Sequence, residues 1–213
     1  MYERSSLERA WSWRRKGGLE TPLHGRFGKE NRRLSFAPPL WYDILVVACL
    51  VGGPTFAAWG FVRGSLPFLG DPGIGLFVGI AVGFAGLWGA FSSERMVCNL
   101  TYRTYVRFEG QSLIKRIVRG SLDELQALVL VAEEFPLPTL GGRTVIYRLV
   151  LHWKGSKEPL LIAEREMHAI PYGARLNYLA GPILQRGMAY AQALGVPFYD
   201  NSYFHSPCPL PVV

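Results

Sequence analysis

The sequence predicts an α+β membrane protein. A two-helix transmembrane hairpin is followed by a cytoplasmic antiparallel β-sheet or partial barrel, capped by a C-terminal helix. Three observations predict it: two runs of 19 and 21 residues without a charge, a period-two alternation from residue 101 onward, and a period near 3.6 over residues 176–194. Composition agrees. Among 213 residues, 18% are charged and 49% hydrophobic, with a mean hydropathy of +0.14, which argues against a disordered chain and a charged coiled coil. Cys49, Cys98 and Cys208 lie far apart with no CxxC, which argues against a disulfide scaffold and a finger-type zinc site.

In chain order, residues 1–40 form a basic cytoplasmic arm with nine Lys/Arg against four Glu, carrying +5 of the net +7. Ser5 or Ser6 is placed to cap a short helix with Leu7 and Trp11 on one side. Beyond Gly17-Gly18 no period is sustained. The arm reads either as a strap on an anionic surface or acidic partner, or as a positive flank that only sets orientation. Trp11 and Trp13 are its candidate docking anchors. Arg32, Arg33, Trp41 and Tyr42 are expected at the membrane interface, each basic group near anionic headgroups contributing about 1 kcal/mol.

Residues 41–93 form the hairpin, with spans at 44–62 and 73–93. As helices these runs are about 28 and 31 Å long, matching a hydrocarbon core of about 30 Å. Gly52-Gly53-Pro54 predicts a kink in the first span. Between the spans, Gly64, Pro67, Gly70 and Pro72 break helix. Arg26, Lys29, Arg32 and Arg33 precede the hairpin, Arg95, Arg103 and Arg107 follow it, and only Arg63 lies between. Lys and Arg resist translocation, so a two-pass membrane protein with both termini cytoplasmic is expected. Gly75, Gly79, Gly83 and Gly86 offer a groove for close helix packing, against the first span or another subunit. Neither span holds His, Asp, Glu, Lys or Arg, which argues against an ion pathway or an axially ligated pigment and for an anchor.

Residues 94–196 read as a β domain with a terminal helix. Tyr102, Thr104, Val106 and Phe108 share one face of a first strand. Ser112–Val118 and Leu125–Ala132 are the second and third strands, and Glu133–Gly142, with its Pro and Gly residues, is a loop. Arg143–Trp153 alternates, with Val145, Tyr147, Leu149, Leu151 and Trp153 inward and Thr144, Arg148 and His152 outward. Lys154-Gly155-Ser156-Lys157 closes a hairpin into Glu158–Ala163. Leu176, Leu179, Ile183, Tyr190, Ala191 and Leu194 share a helical face interrupted at Gly181-Pro182. Gly195 is placed for a left-handed C-terminal cap. One sheet face is expected to be buried by the helix and the other left open. The tail, 197–213, interleaves Phe198, Tyr199, Tyr203 and Phe204 with alternating prolines, a stiff strap for docking on a partner or on the chain's own sheet.

The segments TYRTYVRFEG (101–110), RGSLDELQALVL (119–130), YRLVLHWKGSKEPLLI (147–162) and ALGVPFYDN (193–201) carry a resemblance in element order. The chain resembles bacterial pleckstrin-homology-like (PH-like) membrane proteins, in which a transmembrane hairpin precedes a small curved antiparallel sheet capped by a helix. Five strands are legible against seven in that fold. The resemblance covers about half of the chain and implies binding, not catalysis. Some members resemble assembly factors for photosynthetic complexes.

No P-loop, Gly-x-Gly-x-x-Gly, HExxH or Gly-x-Ser-x-Gly is present. Glu133-Glu134 and Glu164-Arg165-Glu166 are carboxylate pairs expected on solvated faces, and His168 beside the latter matches no metal-ligand spacing. No catalytic, metal or cofactor residue is therefore assigned. The expected role is a non-enzymatic accessory subunit of a multi-subunit inner-membrane complex. The resemblance narrows that complex to an energy-transducing one, photosynthetic or respiratory. The alternative is a transient assembly factor or lipid-surface-binding protein. Expected partners are other membrane subunits and anionic headgroups, with no nucleic acid and no small-molecule substrate.

Overall fold

The computed structural model describes residues 23–63, 72–92, 94–109, 116–137, 142–156, 160–171 and 180–202. The chain divides into a helical unit and a β unit.

In the helical unit, α1 (Leu40–Arg63) and α2 (Pro72–Ser92) pack on each other. The charge-free runs predicted both. The α1 helix starts a turn earlier than its apolar run, with Tyr42 and Asp43 donating their backbone N–H groups to Pro39 O. It continues through Pro54 as one helix, where the Thr55 hydroxyl donates to Val51 O at 2.7 Å. The contact register is antiparallel: Gly89 meets Val46, Gly86 meets Cys49 and Leu50, Gly83 meets Pro54, and Gly79 meets Ala57.

The β unit holds two sheets. The first contains β1 (His24–Phe27), β2 (Arg33–Ala37), β3 (Arg95–Asn99), β4 (Thr104–Glu109) and β5 (Arg116–Ser121), in that spatial order. The second runs β8-β7-β6-β9, from β6 (Leu125–Leu137), β7 (Gly142–Trp153), β8 (Leu161–Pro171) and β9 (Phe198–Asn201). Its pairs are antiparallel except β6–β9, which is parallel. A third helix, α3 (Gly181–Leu194), packs Ile183, Tyr190, Ala191 and Leu194 into the main core. Leu34 and Phe36 of β2, Met96 and Cys98 of β3, and Leu128, Leu149 and Leu151 of the second sheet share that core. The sheets do not close into a barrel.

Several expectations are corrected here. Part of the arm that lacked a sustained period, residues 24–37, is a β-hairpin. Each of its strands has only four or five residues, and β2 finds its neighbour β3 about 60 residues downstream, with Leu34 opposite Cys98 and Phe36 opposite Met96. The expected loop 133–142 is largely strand, because β6 and β7 stay paired from Leu125–Trp153 out to Leu137–Gly142. The first residues of the tail form β9. Most consequentially, the second sheet is buried on both faces along Ala127–Val131 of β6 and Val145–Trp153 of β7. Ala127, Val129, Val131, Val150, Leu160 and Ile162 make a second apolar cluster on the face expected to be open. Arg148 and His152 lie on that face and are buried, not exposed. The proline expected to interrupt the terminal helix sits in the first turn of α3, where its missing N–H costs no hydrogen bond.

Gly195 ends α3 in the left-handed region (φ 69°, ψ 35°), its N–H donating to Gln192 O at 3.2 Å and that of Val196 to Ala191 O at 3.1 Å. A side chain there is strained, and its Cβ would also lie 3.0 Å from the Arg103 guanidinium. Gly195→Ala is therefore expected to destabilise the protein by about 1–2 kcal/mol, read as a shifted denaturation midpoint. An unchanged midpoint would contradict the left-handed cap.

Candidate functional site

Two tight turns of the first sheet frame a concavity of about 460 Å³. Gly28, Lys29, Arg32 and Arg33 of the β1–β2 turn line one side, and Asn99, Thr101 and Tyr102 of the β3–β4 turn line the other. The Gly28 N–H donates to Arg33 O at 2.8 Å, closing the first turn. The Asn99 side-chain oxygen accepts the N–H groups of Thr101 (3.1 Å) and Tyr102 (3.2 Å), shaping the second. Leu100 N donates to Arg32 O at 2.9 Å, linking the two turns. Glu30 (φ 59°), Asn31 (φ 51°) and Arg103 (φ 49°) hold left-handed backbone in these same turns. The Arg32 Nε lies 3.1 Å from a Glu30 carboxylate oxygen, both side chains well exposed.

A second polar cluster ties β1 and α3 to β8. The Glu164 carboxylate, 2% exposed, meets His24 Nδ1 at 2.5 Å and accepts from Arg186 Nε at 3.0 Å. Arg186 also bonds Glu166, whose other oxygen lies 3.4 Å from His168 Nε2. The Tyr190 hydroxyl donates to Gly25 O at 3.1 Å. Burial, with the Glu164 charge adding to it, pushes that phenol up to about 12, so it stays a donor at neutral pH. A guanidinium holding both carboxylates makes this cluster a clasp between elements. The expectation that Glu164 is solvated fails because His24 of β1 and Arg186 of α3 both close on its carboxylate. Glu133 is likewise buried, paired with Arg148 on the second face of the sheet.

A third group lies deeper. Arg107, fully buried, sets its guanidinium 4.9 Å from the centroid of the Trp153 ring and donates to Leu160 O at 3.4 Å. The Trp153 ring N–H donates to the Tyr105 hydroxyl at 2.9 Å. Burial pushes the Cys98 thiol up to about 12, which keeps it un-ionised and poorly nucleophilic. Among the described residues no group of His, Cys, Asp or Glu side chains is arranged to hold a metal ion.

His152, at 1% exposure, has its pKa lowered by burial, so the folded protein resists protonating it. Above its ordinary pKa of about 6.5 both folded and unfolded states are neutral there. Below that pH the unfolded chain takes up a proton that the folded chain refuses. Stability is thus present above about pH 6.5 and is lost as pH falls toward the lowered folded value, by at most about 1.4 kcal/mol per pH unit. His152→Gln is expected to flatten the melting temperature between about pH 6.5 and 5. Equal slopes in the two proteins would remove His152 as the source.

The structure separates the sequence-predicted residues. Gly75, Gly79, Gly83 and Gly86 all face α1: a Cβ on Gly79 would lie 2.5 Å from Ala57 N, and one on Gly86 2.7 Å from Leu50 N. Trp41 and Tyr42 form the first turn of α1. Trp41 is exposed, and the Tyr42 hydroxyl donates to Gly89 O at 3.2 Å. Arg32, at the end of the β1–β2 turn, and Arg33, the first residue of β2, line the concavity. Phe198 and Tyr199 sit in β9, half-buried against the main and second clusters respectively, not on a free strap. Trp11, Trp13, Tyr203 and Phe204 lie outside the described residues. Lys29, Asn99, Thr101 and Tyr102 were not singled out by the sequence as residues of a site. The Gly-Lys-Glu-Asn run at 28–31 is turn-forming in composition and was the available signal.

Fold and side chains together define a class: an α+β chain with two apolar helices and a two-sheet β unit bearing a basic concavity. No protein-family model matches the chain, and no curated protein matches it.

Proposed function

We propose that this chain is a non-enzymatic, membrane-anchored accessory subunit of a bacterial inner-membrane complex, its two long helices inserted in the bilayer and its β unit bracing partner subunits on the cytoplasmic side. One observation carries the reading. The helices hold apolar windows of 21 and 18 residues, of which only 6% and 17% is buried by the rest of the chain. A core helix of a water-soluble protein is mostly buried. Here Ile44, Val47, Val51, Phe77, Ile80 and Phe84 face outward, and such continuous apolar surface calls for lipid or other helices.

The charge asymmetry around the helices supports cytoplasmic termini. The PH-like likeness belongs to the same reading, supported by a small, mostly antiparallel β unit with a C-terminal helix in its core. The narrowing to an energy-transducing complex rests on that likeness alone. Extraction of native membranes in mild detergent, followed by size measurement, tests the proposal: the chain is expected in the membrane fraction and in a particle larger than its own micelle. Recovery from the aqueous fraction without detergent would overturn the anchoring. Recovery only as a lone chain in its micelle would overturn the subunit role.

A further inference from the structure

We propose that the concavity between the β1–β2 and β3–β4 turns is a binding site for a phosphate group. Its lining offers donors. Lys29, Arg32 and Arg33 supply three cations, and Thr101 and Tyr102 supply hydroxyls. The Asn99 oxygen is committed to two backbone N–H groups, which leaves its amide nitrogen as a further donor. Among the described residues that line the cavity there is no carboxylate. Glu30, in the β1–β2 turn, rests on Arg32 in an exposed pair of small net strength, so an incoming anion displaces it at little cost. Two adjacent arginines suit the forked geometry of a phosphate.

The frame is preorganised. Backbone hydrogen bonds close the first turn and tie it to the second, so little ordering is lost on binding. The three non-glycine residues with positive φ among those described all fall in these two turns, and backbone held in sparsely populated conformations clusters at ligand clamps. The volume exceeds that of one phosphate ion, which leaves room for a larger molecule that carries the group. The Tyr102 ring, 77% exposed, offers that carrier a flat surface. The same chemistry is available from a free organic phosphate and from a lipid headgroup. The site does not depend on the brace reading, since a chain recovered alone can still bind.

The test uses the full chain in neutral detergent at fixed ionic strength. Equilibrium dialysis against radiolabelled pyrophosphate reads the free source, and native mass spectrometry with added phosphatidylglycerol, against phosphatidylcholine as reference, reads the headgroup. Arg32→Gln with Arg33→Gln is expected to weaken whichever probe binds by about tenfold or more per arginine. Glu30→Gln is expected to tighten it, and Arg26→Gln, outside the concavity, to leave it unchanged. Loss confined to pyrophosphate supports a free phosphate ligand, and loss confined to phosphatidylglycerol supports a headgroup. No binding of either probe, or binding indifferent to Arg32 and Arg33 in variants with the wild-type circular dichroism and melting temperature, overturns the proposal.

Discussion

Trp153→Ala is expected to destabilise the β unit by about 3–5 kcal/mol, the range for deleting a large buried ring. Trp153 is among the largest fully buried side chains, sits edge-on to Tyr105 with centroids 5.8 Å apart, and lies beneath the Arg107 guanidinium. Truncation leaves three debts at once. It opens a cavity, removes the ring face that faces a buried cation, and takes the N–H donor from the Tyr105 hydroxyl, which itself donates to Glu124 at 3.3 Å. Trp153→Phe keeps a ring over the cavity and beside Arg107 but loses the donor, so a smaller loss is expected. Denaturation of the full chain in detergent, followed by near-ultraviolet circular dichroism, ranks the three proteins. An alanine variant within about 1 kcal/mol of wild type would contradict the packing described.

The second large effect concerns Arg148 and Glu133, buried together on the second face of the β6–β7 sheet. Arg148→Met takes from the buried Glu133 carboxylate its guanidinium partner, at an expected cost of about 3–5 kcal/mol. Replacing both, Glu133→Leu with Arg148→Met, removes the buried carboxylate as well and is expected to recover most of that loss. Val129, Val131 and Val150 already make this face apolar, and well-packed hydrophobic replacements of buried pairs are often neutral. The measurement is a double-mutant cycle by denaturation. Additive costs would show that the two groups do not depend on each other.

The two effects share a cause that bears on how much was legible in advance. Strand alternation was visible in Arg143–Trp153, and the inward set, from Val145 to Trp153, is buried as expected. The outward set was misjudged. Arg148 and His152 are polar, and polarity on one parity of a strand reads as solvent. That inference fails when a sheet is covered on both faces and polar residues acquire partners there. Arg107 was hidden for the same reason: a charge on a strand gives no notice that a tryptophan some 45 residues later will lie beneath it. The concavity was half legible. Arg32 and Arg33 were noticed for their charge and expected at the membrane interface, with nothing in the sequence to mark them as the lining of a cavity. Asn99, Thr101 and Tyr102 carry no charge, and only the pairing of β2 with β3 brings them opposite the arginines.

By itself the sequence determined the two long helices, the period-two strands of the β unit, the C-terminal helix and its glycine cap. These depend on the solvation of contiguous residues and on local backbone preference, both of which act within a few turns of chain. Tertiary structure alone decided which strands pair, that the arm and tail contribute strands, which polar side chains are buried, and where three basic residues gather beside Asn99 and Tyr102. Those outcomes depend on contacts between residues separated in the chain, from 15 positions for Glu133 and Arg148 to 165 for Gly25 and Tyr190, whose free energy exists only once the sheets have packed around a shared core.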